Sequence, residues 1–212
     1  MNDSKRAIKI IEVLGKKYPG SKTALFYKNP FQLLVATILS AQCTDKKVNE
    51  ITPGIFNKYK DVYGFSAAEE KELEENIYSS GFYKNKTKNI IASSKIIVRD
   101  FNGKVPDSMA SLLKLPGVAR KTANIVLSSG FQKIEGVAVD THVKRLSTRF
   151  GFSSNSNPDK IEKDLISIFP KSYWLKLNHI LVNHGRETCK ARNPLCLKCA
   201  VGYLCKSEDK RR

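Results

Sequence analysis

Apolar residues recur along this chain at intervals of three and four, the period of an α-helix. No stretch sustains the every-second-residue alternation of a half-buried strand, and Val137–Val139 is too short to count. Ser4–Tyr18 predicts an amphipathic helix stopped by Pro19 and Gly20. Phe31–Cys43, FQLLVATILSAQC, is almost wholly apolar and predicts a buried central helix, with Asn29 as N-cap and Pro30 in the first position. A further helix is expected from Thr44 or Asp45 to a break near Pro53 and Gly54. Ser66 and Glu69 have the spacing of a capping box, opening an acidic helix that ends by Gly81. Lys84–Phe101 sets Ile90, Ile91, Ile96, Ile97 and Val98 among lysines and is stopped by Asn102 and Gly103. Thr141–Phe150, Pro158–Phe169 and Ser172–His184 complete the helices. The expected fold class is all-α.

Between the basic helix and these last three lies Leu115–Leu127, LPGVARKTANIVL. Pro116 has no N–H to donate and Gly117 takes positive φ without penalty, so neither continues a helix. The preceding residues, Asp107–Leu113, read as a short helical turn capped by Asp107 or Ser108. The following ones, from Ala119, read as a second helix ended by Gly130. The pattern is helix, tight hairpin, helix. A Gly-containing hairpin that feeds a helix start presents backbone N–H groups able to hold a phosphate. Lys121 stands in the first turn of that helix, where the dipole disfavours an ammonium and is expected to lower its pKa. An uncharged lysine is a nucleophile; the plain alternative is a solvated lysine beside Arg120. Asp140, in VDTHVKRL (Val139–Leu146), lies just before a helix and is the only acid between Glu135 and Asp159. Capping stabilises its charged form, which suits it to holding positive charge rather than to taking a proton. His142 is given no role, and His184-Gly185-Arg186 reads as helix termination with a basic contact.

Charge then narrows the class of partner. The 212 residues carry 37 Lys+Arg against 20 Asp+Glu, a formal charge of +17. It is unevenly placed, with six acids and one lysine over Asp61–Asn76 but nine basic residues and two acids over Lys84–Lys121. A polyanion is the expected partner. No apolar run reaches membrane-spanning length and the first residues do not resemble a signal peptide, so a soluble, cytoplasmic protein with no membrane partner is expected. Of five cysteines, Cys43 stands alone and reads as a small buried residue. Cys189, Cys196, Cys199 and Cys205 crowd the C-terminal end with gaps of six, two and five residues. Four thiolates at such spacing indicate a metal site, and zinc and an iron–sulfur cluster both remain open.

Lys121 in LPGVARKTANIVL, Asp140 in VDTHVKRL and the four spaced cysteines, in that order, resemble the endonuclease III family, helix–hairpin–helix DNA glycosylases and abasic-site lyases acting on oxidised pyrimidines. LLVATILSAQCTD (Leu33–Asp45) and GFYKNKTKNI (Gly81–Ile90) extend the resemblance, which runs from about Ile10 to Cys205. It implies a six-helix barrel domain over residues 22–133, carrying the hairpin. It also implies a second helical domain from residues 1–21 and 134–212, ending in a 4Fe–4S cluster, with DNA in the groove between the two. It makes Lys121 and Asp140 the catalytic residues and the four cysteines the cluster ligands. Gln42 would enter the space left by a flipped nucleotide. Phe82 stands where the family has a wedging leucine, a departure that stacking between bases would accommodate. Gly117, Val118 and Ala119 would hold phosphate, Ala119 replacing a common second glycine. Lys190 and Arg192, between the first two cysteines, would face the DNA backbone. The partner implied is duplex DNA with oxidised pyrimidines or abasic sites, bound by a nucleoid-associated monomer.

Three alternatives stay in view. An adenine-specific relative lacks the lysine and usually carries an early glutamate, yet Leu25–Gln32 contains no acid. A mismatch-specific thymine or uracil glycosylase would share the fold. A non-catalytic, zinc-stabilised DNA-binding module would have no use for Lys121 and would purify colourless rather than brown.

Overall fold

Helices α1 (Asp3–Lys17), α2 (Pro30–Leu39), α3 (Asp45–Tyr59), α4 (Val62–Ser66), α5 (Glu70–Ile77) and α6 (Tyr83–Phe101) are followed by α7 (Met109–Leu112), α8 (Arg120–Ile125), α9 (Thr141–Phe150), α10 (Pro158–Ile168) and α11 (Lys171–Glu187) in the computed structural model. The structure describes residues 3–20 and 23–208, and among these there is no strand. The boundary expected between residues 21 and 22 falls outside the described residues. The fold is all-α, and no helix among the described residues is long and apolar enough to cross a membrane.

Most helix starts follow from local chemistry. Asn29 caps α2, its side chain accepting from Gln32 N, and Pro30 occupies the first turn. Thr44 caps α3 through Lys47 N, Asp61 caps α4 through Tyr63 N and Gly64 N, and Ser108 caps α7 through Ser111 N.

Four expectations need correction. α2 ends at Leu39, short of Cys43, so residues 40–44 are a loop. Cys43 is half-buried rather than buried. α3 runs straight through Pro53, because Val48, Thr52, Ile55 and Tyr59 form one buried stripe across it. Breaking the helix there would forfeit the burial of its second half, which outweighs a proline's cost of about 3 kcal/mol. Ser66 opens no acidic helix: it ends α4, its hydroxyl donating to Tyr63 O, and α5 begins after Glu69 without a side-chain cap.

The chain divides into two compact units. One is Ala24–Lys133, whose core packs Leu34, Val35 and Leu39 of α2 against Val48, Ile55, Phe65, Leu73, Ile77, Ile90 and Ile97. Phe65 is its hub, with the rings of Tyr59 and Phe31 at 5.0 and 5.4 Å between centroids. The other comprises Met1–Thr23 and Ile134–Arg212, where Ile10, Ile11 and Leu14 of α1 meet Val143, Leu146 and Phe150 of α9 and Leu177 and Leu181 of α11.

Candidate active site and metal centre

In the unit Ala24–Lys133 the candidate site residues stand at the ends of helices. Gln42 lies in the turn between α2 and α3, exposed and in left-handed backbone (φ 53°). Phe82 is the N-cap of α6, also left-handed (φ 49°), and 63% of its surface is exposed. Large side chains seldom occupy this region, and strained exposed positions concentrate where function requires them. An exposed phenylalanine is equally hard to explain by packing. α6 also carries the hairpin, because Ser93 Oγ donates to Pro116 O at 2.7 Å.

Gly117 has φ 77°, and a Cβ there would lie 2.9 Å from Asn89 of α6. Backbone conformation and close approach therefore both demand glycine. Gly117→Ala is expected to cost about 2 kcal/mol and lower the melting temperature by roughly 4–8 °C, read by thermal unfolding with DNA affinity measured alongside. An unshifted melting temperature would contradict the geometry.

Val118 is buried, its N–H donating to Leu115 O to close the hairpin. Ala119 is the N-cap of α8 and makes no side-chain capping bond. Lys121, two residues on, is exposed in the first turn, while Ala123 and Asn124 turn inward and hold the helix down. The chain then widens into a π turn over Val126–Gly130.

In the unit of Met1–Thr23 and Ile134–Arg212, α9 performs the same organising role. Asp140 is its N-cap, half-buried, with Oδ1 accepting from Val143 N at 2.8 Å, so its carboxylate is oriented by the main chain. At the other end of α9, Arg149 donates to Cys189 Sγ at 3.4 Å, to Lys190 O at 2.7 Å and to Ala191 O at 3.1 Å. Arg145, one turn earlier, donates to Gly185 O and Cys189 O. Because the loop is gripped by its carbonyls, the side chains of Lys190 and Arg192 stay outside and exposed.

Cys189, Cys196, Cys199 and Cys205 line one cavity of about 30 Å³, whose walls also include Arg149, Phe150 and Leu195. No carboxylate lines it, and the donor set is four soft sulfurs. Burial pushes the Cys189 and Cys199 thiols up, and at Cys189 the guanidiniums of Arg149 and Arg145 oppose that shift. Among the described residues no three His, Cys, Asp or Glu side chains converge closely enough to hold a single ion.

Two readings of the local sequence change here. Gly185 does not terminate a helix. It lies inside α11, where a Cβ would come within 2.7 Å of His142 Nδ1 and 2.9 Å of Arg145, so it permits α9 and α11 to touch. His184 is wholly buried rather than a terminal contact, its ring 3.6 Å from Cys199 Sγ, and burial pushes its pKa down to about 4. Arg145 and Arg149 were missed by sequence reasoning, although two arginines one turn apart on a half-buried helix face are a signal of a buried acceptor.

The family profile described as HhH-GPD superfamily base excision DNA repair protein matches residues 35–171. Endonuclease III of Synechocystis sp. is 49% identical over 95% of this chain and 92% of its own. A solved structure of a non-covalent endonuclease III–DNA complex superposes with a TM-score of 0.92 at 40% identity, covering 97% of this chain and 96% of that one. A trapped endonuclease III–DNA covalent intermediate with an estranged adenine gives the same TM-score and identity, covering 97% of each chain. Identity of this extent over nearly the whole length of both proteins is common ancestry rather than shared fold, and the chain belongs to the endonuclease III family of base excision repair enzymes, DNA glycosylases/lyases of the HhH-GPD superfamily.

Proposed function

We propose that this glycosylase/lyase removes oxidised pyrimidines from duplex DNA and then cleaves the abasic site by β-elimination through a Schiff base on Lys121. The observation that carries the reading is Lys121 itself, an exposed lysine in the first turn of α8, directly behind a hairpin whose left-handed glycine packs closely on Asn89. That a relative 40% identical forms a trapped covalent intermediate with DNA supports a covalent route.

The chemistry follows in balanced steps. The sugar of a stacked base cannot be attacked, so the nucleotide is first flipped out, at a cost of a few kcal/mol that is smallest for a damaged base. Pyrimidines that have lost aromaticity stack poorly and fit this selection. Lys121, as the amine, attacks C1′, and the base departs with the electron pair of its glycosidic bond. The sugar ring opens to an imine between C1′ and Nζ. The imine acidifies C2′: water takes a C2′ proton, the freed electron pair forms the C2′=C3′ double bond, and the C3′–O bond breaks to release the 3′ phosphate. Hydrolysis of the imine then frees the lysine. Asp140, held by Val143 N, stabilises the positive charge that develops on the sugar. Gln42 and Phe82 occupy the space vacated in the duplex, the amide facing the unpaired base and the ring wedging a base step. Lys190 and Arg192 meet the phosphates, and the enzyme acts as a monomer in the cytoplasm.

We propose that the four cysteines hold a 4Fe–4S cluster. The cavity wall supplies four soft sulfurs and no carboxylate, and the spacing holds one Cys-x-x-Cys hook where zinc sites usually pair two, so a multi-iron core is the better fit. Arg149, donating to Cys189 Sγ, and the apolar walls would tune such a cluster, which braces the Lys190–Arg192 loop and takes no part in bond breaking.

Borohydride reduction during turnover on an oxidised-pyrimidine duplex tests the catalytic reading, with a stable protein–DNA adduct expected. Base release without an adduct would replace it by a one-step hydrolysis. Metal analysis tests the centre: about four irons and matching sulfide are expected per chain. One zinc and no sulfide would overturn the cluster.

A further inference from the structure

Lys86 is the buried cation of α6, 4% exposed, and no step above employs it. It sits in the helix's first turn, where the dipole opposes a positive charge, and burial draws its pKa below the usual lysine range. A buried ammonium with no carboxylate beside it among the described residues is a costly choice where an apolar side chain would fill the same space. Its hydrogen bonds account for it. Nζ donates to Leu39 O and to Ser80 O, both at 2.8 Å. Leu39 is the last residue of α2, so its carbonyl lies beyond the reach of the helix's own N–H groups and at the negative end of the helix dipole. Ser80 O belongs to the turn between α5 and α6. The main-chain N–H of Lys86 meanwhile donates to Phe82 O at 3.1 Å.

Both anchored segments lead straight to an exposed residue in left-handed backbone: Gln42 three residues beyond Leu39, and Phe82 two residues beyond Ser80. The second turn is closed further by the ring pair Tyr78–Tyr83, 4.9 Å between centroids. Lys86 thus joins the bases of these two loops by hydrogen bonds, one loop following α2 and the other preceding α6.

We propose that Lys86 is a positioning residue for base extrusion: its ammonium, shared between the carbonyls of Leu39 and Ser80, locks the Gln42 and Phe82 loops into one rigid unit that enters the duplex together. The inference rests on the reading of Gln42 and Phe82 as the residues that fill the opened duplex. Two loops tied at their roots present both tips with a fixed separation and lose less freedom on insertion than two that move independently. Hydrocarbon in place of the ammonium would leave both carbonyls buried and unpaired, and the tips would lose register while Lys121 stayed intact.

The test is single-turnover kinetics on two matched duplexes, one holding an oxidised pyrimidine and one a preformed abasic site. Lys86→Met, Gln42→Ala plus Phe82→Ala, and the triple variant are compared with the unaltered chain. Lys86→Met is expected to slow excision of the oxidised base about tenfold, and nicking of the abasic site less than about twofold. In the background already lacking both tips, it should add almost nothing, because a residue acting through the loops has nothing left to position. Equal losses on both duplexes would overturn the inference, as would a full tenfold effect without the tips or no effect with them. If removing the two tips leaves excision unchanged, the intrusion reading fails first and this inference falls with it. A tip effect without a Lys86 effect removes this inference alone. Should Lys86→Met not yield folded protein, Lys86→Gln, whose side chain is shorter and uncharged, takes its place under the same criteria.

Discussion

Lys121→Ala is expected to lose all borohydride-trapped adduct and to slow base release by on the order of 10⁴-fold or more, the scale on which covalent enzymes lose activity without their nucleophile. The structure makes the experiment clean. Lys121 is solvent-exposed in the first turn of α8, and the buried residues of that helix are Ala123 and Asn124. Alanine is the best helix former, so the melting temperature should hold or rise slightly. Affinity for an abasic-site duplex should also remain nearly intact, since one lysine contributes a small share of a charge of +17. Undiminished trapping in this variant would move the nucleophile elsewhere. A fall in affinity as large as the fall in rate would make Lys121 a phosphate contact instead.

Replacing Gln42 should slow excision of an oxidised pyrimidine from duplex by about 10–100-fold, matching the few kcal/mol that extrusion costs. Nicking of a preformed abasic site should suffer much less, because no intact pair has to be opened. The backbone supplies a control that alanine alone does not. Gln42 has φ 53°, so Gln42→Gly removes the amide and relieves left-handed strain together. The glycine variant should therefore melt no lower than the unaltered chain and still lose duplex excision, whereas Gln42→Ala retains the strain. If Gln42 were only a turn residue, glycine would leave both activities whole. Equal losses on the two substrates, tracking melting temperature, would likewise reject gap filling.

These residues differ in how readily the sequence discloses them. The hairpin was legible because its chemistry is local. Pro116 and Gly117 must interrupt a helix, the caps lie within three residues of what they cap, and Lys121 follows at a fixed offset. Asp140 as N-cap of α9 was legible for the same reason, and its cap to Val143 N is there. The spacing of the four cysteines pointed to a metal site but serves zinc and iron–sulfur alike, and the cavity they share is a property of packing that spacing does not disclose.

The helical period and the stop residues carried the fold class and most helix ends, since both depend on a few neighbours in the chain. Wherever distant residues compete with local preference, only the folded chain decides. Pro53 fails to break α3 because a buried stripe on both sides of it outweighs one missing hydrogen bond. Gly185, flanked by His184 and Arg186, looks like a helix end, yet it marks the place where α9 presses against α11. Arg149 and Lys86 each bond main-chain carbonyls roughly forty residues away in sequence. A carbonyl has no signature in the amino-acid code, so neither partner could be read before the helices were packed. The chemistry of this enzyme was written in short motifs. How those motifs are held in place was set by packing, because a side chain reaching for another segment's backbone answers to distance in space and not to position in the chain.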